Sequence, residues 1–84
     1  MQSYAIEVYS PKSGAEFHES SIDRLRKAAE TLTGEGRPTA YRYSLLLLSE
    51  ETCFHVLDGV SREAVSEAAR IAALDATQIT EVAR

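Results

Sequence analysis

The sequence has little cysteine, no excess of basic residues and no long hydrophobic run, and each shortage excludes a class of protein. Cys53 is the only cysteine among 84 residues, so no disulfide can form within the chain, which fits a reducing compartment. No apolar run is longer than Leu45–Leu48, which is far too short to span a bilayer. The formal net charge is −4, whereas a nucleic-acid-binding domain usually carries a basic patch.

Signals for targeting and for well-known chemistry are also missing. The sequence does not open with a basic region followed by an apolar stretch, so we expect no signal peptide and a cytoplasmic location. It contains no glycine-rich phosphate loop, paired CxxC, HExxH or nucleophile elbow. Because the net charge is negative and the apolar runs are short, we expect neither nucleic acid nor a membrane as a partner. The residues predict an architecture more firmly than a reaction.

Four strands and two helices are predicted from the spacing of apolar residues. Alternation predicts strands at 4–9, 39–48, 52–57 and 78–82. In the first strand, Tyr4, Ile6 and Val8 share one face. Turn-forming residues at 10–14 end this strand, and the polar stretch 49–51 predicts a hairpin. Both faces of strand 39–48 become apolar near its end, which predicts burial on both sides.

The helices are predicted from their caps and apolar stripes. Ser20 is the predicted N-cap of the first helix, and Gly34 and Gly36 end it. Ser61 is the predicted N-cap of the second helix, which runs to about residue 73. The inward-facing residues of the first helix are Ile22, Leu25, Ala29 and Leu32, and those of the second are Val65, Ala68, Ala69 and Ala72.

This order of elements predicts one ferredoxin-like α+β domain over residues 1–84. Its βαββαβ arrangement gives a four-stranded antiparallel sheet with both helices on one face. The other face would expose tyrosine, leucine and cysteine side chains. We expect a second subunit to cover that face, giving a homodimer, or the face to line a pocket for a small molecule.

Six residues form the candidate ligand-binding site on this helix-free face. They are Glu7, Tyr9, Tyr41, Tyr43, Cys53 and His55. Because the first and third strands are neighbours in a ferredoxin-like sheet, we expect Glu7 to approach His55 and to raise its pKa. These two are the candidate catalytic residues, since such a pair can transfer protons on a small aromatic or carbonyl ligand. The alternative is a dimer interface with satisfied polar residues.

We expect no cofactor, although a weaker pattern is compatible with a divalent metal ion. Cys53 and His55 are two residues apart, so their sulfur and imidazole share a strand face and can bind a thiolate-accepting metal. Further ligands would come from Glu7, His18 or a second subunit. His18 precedes the predicted first helix, and we expect it to be exposed. A structural role for the histidine in the strand is the alternative.

Almost the whole chain resembles a small bacterial family of ferredoxin-like proteins, mostly of unknown function, whose characterised branch binds nickel. The stretch 4–7 is similar to the family's Tyr-x-x-Glu first strand. The clearest similarity runs from Phe54 through 61–65 and 68–70 to 78–82. The order and spacing of these motifs carry the resemblance, which implies the fold and a dimer.

The chain departs from the family at its histidines. The family's second strand has a Trp-x-His-Ser-Tyr pattern, where this chain reads Tyr-Arg-Tyr-Ser-Leu at 41–45. The family's second helix has Glu-His-Ala, where residues 67–69 read Glu-Ala-Ala. Its third-strand cysteine matches His55. The resemblance therefore does not transfer the family's nickel site to this chain.

Three functions remain as hypotheses. The first is a ligand-binding or accessory protein that acts as a homodimer. The second is a cofactor-free enzyme of the dimeric α+β barrel type, such as an isomerase, cyclase or monooxygenase, using Glu7 and His55; it rests on fold analogy. The third is a metal-binding protein with a rearranged site that uses Cys53, His55 and His18.

Overall fold

The chain forms two helices and four strands in the predicted order. The computed structural model describes residues 1–10 and 15–83. The elements are β1 (Gln2–Tyr9), α1 (Ala15–Gly34), β2 (Thr39–Leu47), β3 (Thr52–Gly59), α2 (Arg62–Ile71) and β4 (Ala76–Val82). A short 3-10 turn at Leu48–Glu50 closes the predicted hairpin between β2 and β3. The predicted turn at 10–14 falls mostly on residues 11–14, which lie outside the described residues.

The four strands make one antiparallel sheet in the order β2-β3-β1-β4. Tyr4, Ile6 and Val8 of β1 are buried on the face that both helices cover, as their alternation predicts. We call this face the helix side and the opposite face the open side. The ferredoxin-like α+β fold is thus confirmed, and so is the adjacency of β1 and β3.

Helix α1 begins earlier than its predicted N-cap. Ser20 lies inside the helix, where its hydroxyl accepts a hydrogen bond from Arg24 Nη1 at 2.8 Å. The core-facing side of the helix includes Leu25 and Leu32, which are fully buried. The additional N-terminal turns place His18 on this same side, because residues three and seven positions apart share a helix face.

Helix α2 follows β3 closely and packs through small side chains. The predicted N-cap is confirmed, since Ser61 Oγ accepts a hydrogen bond from the backbone N–H of Ala64 at 3.1 Å. The predicted inner face is also confirmed as buried: Val65, Ala68, Ala69 and Ala72. Gly59 permits this close packing, because a Cβ there would lie 2.7 Å from Val65 Cγ2.

Strand β2 is an edge strand, and its apolar end is exposed. Leu45 and Leu47 are 52% and 40% exposed, and Tyr43 is 53% exposed. The predicted burial on both sides is therefore wrong. The reason is topological: β2 has only β3 as a neighbour, and no described element covers the open side of the sheet.

Within the described part of the chain, neither helix combines the length and the apolar character needed to cross a membrane.

Candidate metal centre

Strand β2 contains a β-bulge that decides which of its side chains reach the helix side. The register against β3 shifts between Tyr41, which lies opposite Leu57, and Tyr43, which lies opposite Val56. One extra residue in a strand reverses the faces of all residues beyond it. Tyr41 and Ser44 therefore both lie on the helix side, whereas Tyr43 lies on the open side.

His18, Cys53 and His55 meet between α1 and the helix side of β3. Cys53 Sγ lies 3.5 Å from His18 Nδ1 and 3.5 Å from His55 Nε2. The two imidazole rings stack, with centroids 5.7 Å apart and planes inclined by 20°. One ligand atom from each residue lies within 4.8 Å of the others. We call this group the His18–Cys53–His55 cluster.

A chain of hydroxyl groups holds His55 from the other side of its ring. His55 Nδ1 and Ser44 Oγ are hydrogen bonded at 2.6 Å, and Ser44 Oγ is hydrogen bonded to Tyr41 Oη at 2.6 Å. The Arg26 guanidinium lies over the Tyr41 ring, 5.1 Å from its centroid. When Nδ1 carries the proton and donates it to Ser44, the free lone pair of Nε2 is directed towards Cys53.

Burial keeps Cys53 and His55 uncharged at neutral pH. It lowers the pKa of His55 to about 4, and the nearby His18 contributes to this shift. It raises the pKa of the Cys53 thiol to about 11. Both shifts have the same main cause, because a buried environment disfavours the charged form of each group. A metal ion that binds the sulfur must therefore displace its proton.

The predicted approach of Glu7 to His55 is wrong. In the register, Ile6 lies opposite His55 and Glu7 lies opposite Phe54. Directly opposed residues share a sheet face, so Glu7 lies on the open side and His55 lies on the helix side. The pKa of His55 is accordingly lowered by burial, not raised by a carboxylate. The acid–base pair of the enzyme hypothesis does not form.

The other members of the predicted open-side site are also separated. Cys53 lies on the helix side, and Tyr41 joins it there through Ser44. Tyr9 is exposed at the end of β1, where its hydroxyl donates to Glu51 Oε2 at 3.5 Å. Tyr43 remains on the open side. The structure thus brings together Cys53, His55 and Tyr41 of the original six.

The site contains His18, which the sequence indicates as a further metal ligand, and Ser44, which the sequence does not indicate. His18 was expected to be exposed, but it is half-buried and contacts Cys53. His18 lies seven residues before Leu25, and this spacing indicates that it shares the apolar face of α1. No comparable pattern indicates Ser44, because the side of the sheet on which it lies depends on the bulge in β2.

Comparison with known proteins supports the fold. No protein-family model and no curated protein matches this chain. The chain is similar in structure to SCO4226 of Streptomyces coelicolor A3(2), for which a crystal structure has been determined. The TM-score is 0.68 over 98% of this chain and 96% of that protein, with 15% sequence identity. At this identity the similarity shows a shared ferredoxin-like fold and no more.

Proposed function

We propose that this protein binds a thiolate-accepting metal ion at the His18–Cys53–His55 cluster. One observation carries the proposal: two imidazoles and a thiol, contributed by α1 and β3, place their ligand atoms within 4.8 Å of one another. Imidazole nitrogen and thiolate sulfur are ligands that several transition metals accept.

The distances in the cluster suit a shared ion. Metal bonds of about 2.3 Å to sulfur and 2.0–2.1 Å to nitrogen place those two atoms about 3.6 Å apart around a tetrahedral ion. The sulfur of Cys53 lies 3.5 Å from a nitrogen of each histidine. Binding would therefore require little movement of either sulfur–nitrogen pair.

The Ser44 hydroxyl supplies the outer support that metal-binding histidines usually have. Such histidines generally donate their second ring N–H to a neighbouring oxygen, which fixes the tautomer and the ring orientation. Ser44 is placed for this role at 2.6 Å from His55 Nδ1.

The proposal retains metal binding, which the family resemblance suggests, but assigns it to different ligands. We propose that the chain is a divergent member of the ferredoxin-like family that includes nickel-binding proteins, with its ligands moved to α1 and β3. We also propose a cytoplasmic location, since a reducing compartment keeps the single thiol available for a metal.

The direct test is metal analysis of protein purified without a histidine tag. After reduction and metal removal, titration with Cu(I), Zn²⁺, Co²⁺ and Ni²⁺ should show one ion bound per chain for at least one metal. Substoichiometric uptake of all four metals, equal in the wild type and in a His18→Gln variant, would overturn the proposal.

Replacement of Ser44 by alanine should weaken metal binding without removing a ligand. Loss of such an outer hydrogen bond typically costs about 10- to 100-fold in metal affinity. In ¹⁵N NMR spectra of the metal-free protein, His55 should change from the Nδ1–H tautomer towards a mixture. Ser44→Thr is the matched control, because it retains the hydroxyl. An Nε2–H tautomer in the wild type would contradict the assigned role of Ser44.

A second proposal concerns the open side of the sheet, where we infer a homodimer contact. Tyr43, Leu45 and Leu47 expose apolar surface there, beside the half-buried Phe54. Contiguous exposed apolar surface of this kind is typical of interaction sites. A small molecule is the other predicted occupant of this face. Arg42 lies at the edge of the apolar surface, and its Nε is 3.6 Å from Oδ2 of the buried Asp58.

Introduction of a charge at the centre of this surface should dissociate the dimer. We expect Leu45→Asp to shift the molecular mass in light scattering from that of two chains to that of one at micromolar concentration. Val60→Asp is the matched control, because Val60 is similarly exposed, at 51%, but follows the end of β3. A wild-type protein that is monomeric under these conditions would overturn the dimer proposal.

A further inference from the structure

We propose that the His18–Cys53–His55 cluster is selective for monovalent copper, which it holds with three ligands and no net charge. This inference rests on the proposed metal-binding function and specifies its ligand. It is supported by the number of ligands, their charge and their chemical softness.

The number of ligands favours an ion that accepts three. Among the described residues, His18, Cys53 and His55 are the only group of three or more His, Cys, Asp or Glu residues placed to share an ion, and no carboxylate belongs to it. Glu7, which was a predicted further ligand, lies on the opposite side of the sheet. Structural zinc sites are almost always four-coordinate, and Ni²⁺ favours square-planar or tetragonal surroundings.

The charge of the ligands favours a monovalent ion. The thiolate of Cys53 is the single negative charge that the three ligands supply, so a monovalent ion gives a neutral site. A divalent ion would leave one positive charge beside Cys53 and His55, which are 1% and 2% exposed. An uncompensated buried charge is strongly unfavourable.

The softness of the sulfur gives the same preference. Thiolate ligands select Cu(I) over hard cations, and imidazole is also a good copper ligand. On binding, the S–H bond of Cys53 breaks and an S–Cu bond forms, while the proton passes to solvent. Copper remains monovalent throughout, so the step requires neither an oxidant nor a reductant.

The test compares metals on the full-length, metal-free protein under anaerobic, reducing conditions. We expect one Cu(I) per chain in competition with bicinchoninate, retained in about a 100-fold excess of Zn²⁺ or Ni²⁺. X-ray absorption at the copper edge should show two nitrogen ligands and one sulfur ligand.

A charge-changing variant tests the reason for the selectivity. Leu46 lies opposite Cys53 in the register and therefore on the same side of the sheet. Leu46→Glu adds a carboxylate beside the site. The matched control is Leu46→Gln, which has the same shape without the charge. Relative to this control, Leu46→Glu should reduce the preference for Cu(I) over Zn²⁺ by about tenfold or more.

The possible failures of this test are distinguishable. Tight Zn²⁺ or Ni²⁺ binding that requires Cys53 and is not displaced by Cu(I) would overturn the copper inference and leave the metal-binding function standing. Equal preferences in Leu46→Glu and Leu46→Gln would overturn the charge argument and the inference with it. Failure of all metals to bind would overturn the proposed function itself.

Discussion

Replacement of Cys53 by serine is expected to lower the affinity of the protein for its metal by about three orders of magnitude. Cys53 provides the only anionic ligand of the cluster, and its sulfur lies within 3.5 Å of a nitrogen of both histidines. A serine hydroxyl does not lose its proton at neutral pH and is a poor ligand for soft metals. The measurement is a competitive titration with a chromophoric chelator.

The control for this substitution is a buried neighbour without a ligand atom. Val8 lies opposite Cys53 on β1 and is 5% exposed. Val8→Ala should cost about 1–2 kcal/mol in the free energy of unfolding and leave metal affinity nearly unchanged. Cys53→Ala is a second variant that removes the sulfur without burying a hydroxyl group, so it distinguishes loss of the ligand from misfolding. Full affinity in folded Cys53→Ser and Cys53→Ala would place the metal elsewhere in the chain.

The metal-free protein should lose stability as the pH falls from about 6.5 to about 4. The folded pKa of His55 is about 4, compared with an ordinary value of 6.5. Between these values the unfolded chain binds a proton that the folded protein excludes, so acid favours unfolding. The stabilising effect is complete above pH 6.5, decreases through this interval and is lost below about 4. The slope approaches about 1.4 kcal/mol per pH unit, and the total is about 2–3 kcal/mol.

Chemical denaturation at a series of pH values measures this dependence. His55→Gln removes the titrating group while retaining an amide that can hydrogen bond to Ser44, so its stability should vary less over the same interval. The imidazole signals of His55 in wild-type NMR spectra should also show no titration above about pH 5. A midpoint near 6.5 for these signals would contradict the buried, neutral state of this side chain.

Local patterns were sufficient for most of the fold. Alternation in β1 correctly placed Tyr4, Ile6 and Val8 against the helices, since a buried strand face must be apolar. Ser61 marked the start of α2, because its hydroxyl satisfies a backbone N–H that the helix itself leaves free. The start of α1 was misplaced at Ser20, since a serine inside a helix resembles a cap when only its neighbours are considered.

The contents of the site depended on tertiary structure. The alternation in β3 correctly put Cys53 and His55 on one face, but it did not show which face the helices cover. The extra residue at the bulge in β2 then reversed its later side chains and placed Ser44 against His55.

The sequence by itself determined the order of the elements, the buried face of β1 and the pairing of a thiol with an imidazole on one strand. Tertiary structure decided that this pair faces His18 and not Glu7. The physical reason is that successive side chains along a strand lie on alternate faces of the sheet. The pairing register between strands therefore determines which side chains meet.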